Sequence, residues 1–395
     1  MAMSWTLGSV SLSGMMITLS LLLSPMALAS NKKVEMPRQA CSPDVSTWQD
    51  EQSHHTQHFV PVADNVTLEV LDWGGSGRPL VLLAGLGNTA HVFDSIAPRL
   101  SSNFHVYGIT RRGFGASSVP KTGYTADRLA KDVIAAINAL GLQRPIIAGH
   151  SIAGEELSEI GMEFPGRVAG LIYLDAAQTY AIYDPTRGAY LPDISQLTSQ
   201  IAGMHDDPLN AQKMTALLDD VSILKHSLGD EIAAIKTDDA SVAGALGSGP
   251  SNSEKASFAA FRCFISKQLG GTFPEDEVRQ GFTSNATGGV GEQKAPAFVY
   301  NAILKGEERL HAPDVPILAI VPVPRVPDLP VGSDPAKREA AEEMHTRMQE
   351  AQIVTLKRQQ PSAEVVRIPH GSHYIFLSNQ SEVVAAIETF GDKLR

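Results

Sequence analysis

Short apolar, β-branched runs alternate with longer helical-period segments along most of this chain, and that alternation admits few architectures. Parallel strands cannot be joined by tight turns, so a strand–helix–strand rhythm points to a mostly parallel sheet covered by helices. Seven runs read as strands: Val66 to Trp73, Leu80 to Ala84, Phe104 to Ile109, Pro145 to Ala148, Leu171 to Leu174, Val315 to Val321 and Glu364 to Ile368. Leu129, Val133, Ala136, Ile137 and Leu140 recur at the spacing of one helix face, so the segment from Thr125 to Leu140 predicts a helix, stopped by Gly141. Glu382 to Phe390 predicts a closing helix. Between Ala177 and Ala312 the strand signal lapses into helical and irregular segments, which predicts an insertion covering the sheet.

Composition narrows the function. Lys and Arg total 32 against 43 Asp and Glu, a formal net charge of −11, which disfavours a nucleic-acid partner. The first 29 residues carry no charged side chain, and Met15 to Leu23 is apolar and leads into Ala27-Leu28-Ala29. Small residues at that spacing predict a cleaved export signal over 1–29, with Ser30 the first mature residue, a periplasmic or secreted protein and no stable membrane insertion afterwards. An uncleaved anchor is the alternative. Residues 30–56 read as a polar arm. The two cysteines, Cys41 and Cys263, are too few for a zinc cluster but sufficient for one bridge between arm and insertion. His54, His55 and His58 fall close together, yet no cysteine or paired carboxylate stands near them in the sequence, so no metal site is expected there.

Chemistry concentrates in Gly149-His150-Ser151-Ile152-Ala153-Gly154, which follows a buried run and opens a helix reaching to about Phe164. A serine on a sharp strand-to-helix turn needs small neighbours, and the helix N-terminus behind it offers backbone N–H groups to a developing oxyanion. With this element in place, the chain from about residue 57 to 395 resembles the α/β-hydrolase superfamily. The resemblance implies an eight-stranded, mostly parallel sheet with helices on both faces. Its core comprises residues 57–176 and 313–395, with a mainly helical cap, 177–312, inserted after the sixth strand. Leu83-Ala84-Gly85-Leu86-Gly87 stands where the family carries its oxyanion loop, with Ala84 in place of the usual histidine, so the implied donors are the amides of Leu86 and Ile152. Arg111-Arg112-Gly113-Phe114-Gly115-Ala116-Ser117 is similar to another family loop, with Thr110 replacing an aspartate, and is expected to be a packing element only.

The resemblance also sets the partners of Ser151. In Pro369-His370-Gly371-Ser372-His373-Tyr374, His373 fits the family's catalytic position and His370 reads as a loop histidine. Two carboxylates compete for the acid: Asp175, at the end of Tyr173-Leu174-Asp175, and Asp328, on a proline-rich loop. Ser151, Asp175 and His373 keep the chain order of the family triad. The implied activity is hydrolysis of a small or medium carboxylic ester through an acyl-enzyme, without cofactor or metal. Alternatives on the same triad are cofactor-free perhydrolysis or haloperoxidation, amide or carbon–carbon hydrolysis, or a silent binding protein. Tyr180, Tyr183, Tyr190, Phe258, Phe261 and Phe264 are expected either to line an apolar pocket or to form the cap's own core.

Overall fold

The computed structural model describes residues 53–184, 250–269, 271–326 and 334–394, with scattered helical residues between 197 and 225. The segment expected to direct export, nearly all of the polar arm, Cys41, Tyr190 and Asp328 lie outside the described residues. Ten strands are present: β1 (Thr56–Ala63), β2 (Val66–Gly74), β3 (Arg78–Leu83), β4 (Phe104–Ile109), β5 (Ile146–His150), β6 (Gly170–Leu174), β7 (Phe282–Ser284), β8 (Val290–Gln293), β9 (Ile317–Pro322) and β10 (Glu364–Ile368). Eight of them form one sheet in the order β1-β2-β4-β3-β5-β6-β9-β10. Only β2 breaks the parallel arrangement: it runs antiparallel to both of its neighbours, β1 and β4. The crossover between β3 and β4, which places β3 beside β5, brings the carboxyl ends of β3, β5 and β6 side by side, where an open parallel sheet binds its ligands.

The described helices are α1 (Ala97–Leu100), α2 (Ala126–Ala139), α3 (Ala153–Glu163), α4 (Phe258–Leu269), α5 (Glu275–Gly281), α6 (Ala297–Lys305), α7 (Pro335–Gln359), α8 (Ile375–Ser378) and α9 (Gln380–Lys393). Strand alternation divides the core. Leu80 and Leu82 of β3 pack with Val383, Ile387 and Phe390 of α9 on one face. Val81 and Leu83 pack with Val133 and Ile137 of α2 and Leu157 of α3 on the other. A third apolar group lies beside the sheet's carboxyl edge and joins Ile152 to Phe114, Tyr124, Leu129, Val299 and Ile303.

Three features depart from expectation. The first strand, β1, begins at Thr56 and sits on the sheet's edge with Phe59 exposed. A small hairpin, β7–β8, interrupts the insertion that reads as helical and irregular. The 25-residue α7 was not anticipated, because its buried face carries Gln349, Gln352 and Thr355 beside Ile353 and Leu356 and so shows no apolar stripe. Cys263, on α4, is disulfide-bonded; the chain's other cysteine is Cys41. No helix among the described residues is long and apolar enough to cross a membrane.

Helix α3 lies so close to the end of β6 that a Cβ on Gly154 would sit 2.0 Å from the Ala176 carbonyl oxygen. Backbone cannot retreat as a flexible side chain can, so the helix itself would have to shift. We expect Gly154→Ala to lower unfolding free energy by about 2 kcal/mol or more in urea titration, within the usual range for overpacking; a change below about 0.5 kcal/mol would contradict this packing.

Candidate active site

The turn between β5 and α3 places Ser151 at φ +53°, in the left-handed region that residues other than glycine seldom occupy. Its surroundings explain the small residues around it. A Cβ on Gly149 would approach Leu157 to 3.0 Å, and one on Gly85 would lie 2.8 Å from His150 Nδ1 and 3.2 Å from the Ser151 Cβ. The loop after β3 therefore runs directly against the serine. The Ser151 amide donates to Leu174 O and its carbonyl accepts from Gly154 N, fixing both sides of the turn.

His373 arrives from the loop after β10. Its Nε2 lies 2.9 Å from Ser151 Oγ and its Nδ1 lies 2.7 Å from Asp175 Oδ2. The structure thus brings together Ser151, His373 and Asp175. His370, at φ +57°, is 57% exposed and faces Glu342 across 3.9 Å, away from the serine.

Asp175 lies fully buried just beyond β6, itself at φ +46°, with its amide donating to Ile320 O of β9. A buried carboxylate needs compensation. Gln349 of α7 donates to Oδ1 at 2.5 Å and Gln178 at 3.3 Å, while Arg325 Nη1 stands 3.4 Å from Oδ2. Burial alone would raise the Asp175 pKa, but the Arg325 charge and the His373 and Gln349 contacts hold it below the ordinary carboxylate value. The carboxylate is thus kept charged beside the imidazole. His150, whose Nε2 donates to the His373 carbonyl at 2.9 Å, is held neutral by burial and by His373.

Leu86 lies on the loop after β3, and Ile152 caps α3 immediately after the serine. Arg111 gives that loop its set. It donates to Ala84 O at 3.0 Å and Gly85 O at 3.4 Å, and Gly85 O also accepts from Asn88 N at 3.2 Å. The Gly85 carbonyl and the Leu86 N–H belong to one trans peptide and point in opposite directions. Tying the carbonyl to Arg111 aims the amide the other way. Glu156 holds Arg111 at 2.5 Å, so Arg111 braces the loop after β3 and does more than pack. Arg112 pairs with Asp132, and Thr110 donates to the buried Glu69.

The cap closes on the same loop. Glu277 of α5 accepts from Asn88 Nδ2 at 2.9 Å and from the Thr89 amide at 3.0 Å, and burial raises its pKa to about 7. Tyr180 adds a hydroxyl that faces Ser151; burial, reinforced by the negative Asp175, keeps it protonated well above the usual tyrosine range. Leu86, Tyr180 and Tyr300 border the apolar group around Ile152. Of the other expected aromatics, Phe258, Phe261 and Phe264 pack into the core, and Tyr183 lies beneath the Arg309 guanidinium. Gln349, Arg325 and Arg111 were not identified as site residues from the sequence. They lie on separate segments, and only the fold shows what they meet.

Comparison with known proteins places this geometry in a family. Residues 78–213 match a family model described as alpha/beta hydrolase fold. The chain has the α/β-hydrolase fold. It is 35% identical over 104 residues to a putative non-heme haloperoxidase of Mycobacterium phage D29, a match covering 26% of this chain and 37% of the relative. It is 30% identical over 110 residues to 2-(acetamidomethylene)succinate hydrolase of Mesorhizobium japonicum, covering 28% and 39%. The matched stretches thus span well under two thirds of these relatives' lengths. A crystal structure of E-2-(acetamidomethylene)succinate hydrolase superposes on 86% of this chain and all of its own with a TM-score of 0.53 at 18% identity, which speaks for the shared fold.

Four residues after Ser151, in the first turn of α3, the chain carries an unusual acid. Glu155 is completely buried and neither carboxyl oxygen has a hydrogen-bond partner; burial, with Glu307 and Glu156 adding to it, holds its pKa well above the carboxylate range. An unfolded glutamate titrates near ~4.3. Above that pH the folded state keeps a proton that the unfolded state gives up, so this residue makes stability fall as pH rises. Thermal unfolding of Glu155→Gln should therefore gain on the parent protein between about pH 5 and pH 8; parallel melting curves across that interval would show that Glu155 is not buried in its neutral form.

Proposed function

We propose that this protein is a serine hydrolase that transfers the acyl group of a carboxylic ester to water. The observation that carries the reading is the continuous chain from Ser151 Oγ through His373 to the buried Asp175, at 2.9 and 2.7 Å. Ser151 Oγ attacks the ester carbonyl as His373 Nε2 takes its proton. The negative oxygen that forms is received by the Leu86 and Ile152 amides. Collapse breaks the carbon–oxygen bond, and the alcohol leaves with the proton held on Nε2. Water then repeats the sequence on the acyl-serine with His373 as base. Asp175 holds Nδ1 protonated and stabilises the imidazolium in both halves. A serine nucleophile, rather than an aspartate, separates this chemistry from alkyl transfer on epoxides or haloalkanes. The apolar border of Leu86, Ile152 and Tyr300 suits an uncharged acyl or alcohol group.

The same proposal places the mature protein outside the cytoplasm. The uncharged N-terminal stretch with its Ala27-Leu28-Ala29 pattern supports this, as does the disulfide at Cys263, since such bonds persist in oxidising compartments.

Ser151→Ala removes the nucleophile and no buried bulk, so hydrolysis of a p-nitrophenyl ester should fall by roughly 10⁴- to 10⁶-fold with the melting temperature little changed. A loss below tenfold, with the fold intact, would end the reading. Asp175→Asn should reduce kcat by about 10³- to 10⁴-fold, because an amide favours the wrong imidazole tautomer. Retention of more than a tenth of kcat would remove Asp175 from the triad.

A further inference from the structure

On the opposite side of the loop after β3 lies a second polar cluster, which the hydrolytic chemistry does not use. The turn Ala90–Phe93 carries His91, 95% buried, with Asp94 just after it. His91 Nδ1 lies 3.4 Å from Asp94 Oδ2, and Nε2 lies 3.5 Å from Glu69 Oε1. His55 Nδ1 stands 3.3 Å from the other Asp94 oxygen. None of these contacts has hydrogen-bond geometry: both ring nitrogens of His91, Nδ1 of His55 and Oδ2 of Asp94 are buried without a hydrogen-bond partner. Asp276, exposed at the start of α5, completes a group in which one ligand atom each from His91, Asp94 and Asp276 lies within 4.8 Å of the others.

We propose that His91, Asp94 and Asp276 form a zinc site, with water completing the coordination. The distances carry the argument. In a tetrahedral zinc site with bonds of about 2.0–2.1 Å, neighbouring donor atoms are separated by about 3.3–3.4 Å, which is the His91–Asp94 spacing. That spacing is long and misdirected for a hydrogen bond. A zinc-bound imidazole usually donates its second N–H to a carboxylate. Glu69 Oε1 stands 3.5 Å from His91 Nε2, on the side where such an acceptor would be needed, and it is steadied by Gln57 at 2.5 Å and Thr110 at 2.7 Å. Trp73 Nε1 donates to Asp94 Oδ1 at 3.2 Å and so orients that carboxylate. Asp276 already offers an oxygen within 4.8 Å of the other two ligand atoms, and its exposure leaves it room to approach. Of the histidine cluster near the N-terminus, His55 alone meets a carboxylate of this group, Asp94, on a segment distant in sequence. The ion would tie the turn after the oxyanion loop to the cap helix α5, whose next residue, Glu277, already binds Asn88 and Thr89. The competing occupant is a proton shared by His91 and its two carboxylates.

The test uses the full mature chain without an affinity tag, stripped with EDTA and dialysed, then titrated with ZnCl₂ against a chromophoric chelator. One zinc should bind per chain with a dissociation constant below about 1 μM and raise the melting temperature. Asp276→Asn should weaken that affinity at least tenfold while leaving the melting temperature of the metal-free protein unchanged, since Asp276 is exposed. His91→Gln should abolish both binding and the thermal shift, if it folds. Two results would overturn the site: absence of stoichiometric binding at about 10 μM zinc, which would leave the proton as occupant, or equal affinity in the parent and Asp276→Asn proteins, which would place the zinc on surface histidines.

Discussion

The left-handed backbone at Ser151 is the constraint around which the rest is arranged. A non-glycine residue at φ +53° costs of order 1 kcal/mol or more unless its surroundings over-determine it. Here they do so from three sides: β5 delivers the chain into the sheet, the Ser151 amide is taken by Leu174 O, and α3 packs onto the end of β6 through Gly154. The same turn sets the serine above the sheet edge, points the first amides of α3 toward it and brings Gly85 within contact of its Cβ. Ser151 and the loop after β3 are positioned by one tight passage of backbone.

Charge is managed with similar economy at Asp175. A fully buried carboxylate would sooner take up a proton than stay ionised, and an imidazole alone does not remove that tendency. Arg325, Gln349 and Gln178 come from three further segments to hold it ionised. The polar buried face of α7 follows from this requirement. Gln349 reaches Asp175, Gln352 donates to Ile182 O and Thr355 donates to Asp184, so a face that would otherwise be apolar is given to solvating the segment after β6.

How much of this is legible in the sequence depends on whether the signal is local. The sheet is, because each of its buried strands declares itself in five or six residues; Phe104–Ile109 and Glu364–Ile368 coincide with their apolar runs. Ser151 and His373 are legible because family motifs surround them. Asp175 could be proposed only as one of two carboxylates, since what distinguishes it is its place between β9 and the imidazole, a tertiary fact. Helix α7 escaped because periodicity detects apolar stripes and this helix buries amides. Edge strand β1 escaped because only one of its eight residues, Val60, is fully buried. Arg111 was legible as part of a loop motif, but its grip on Ala84 and Gly85 was not, because nothing in a linear motif says which carbonyl a guanidinium will find.

The anchoring of α5 has an engineering corollary. Caps on this sheet are often pictured as interchangeable lids, chosen for the substrate they admit. Here Glu277 satisfies the Asn88 amide and the Thr89 backbone N–H, both buried within three residues of Leu86. Grafting in another protein's lid would strand those donors in a dry interior unless the graft brought its own acceptor to the same point. In this chain α5 is therefore structurally part of the loop after β3, and exchanging either means transplanting loop and helix as one piece.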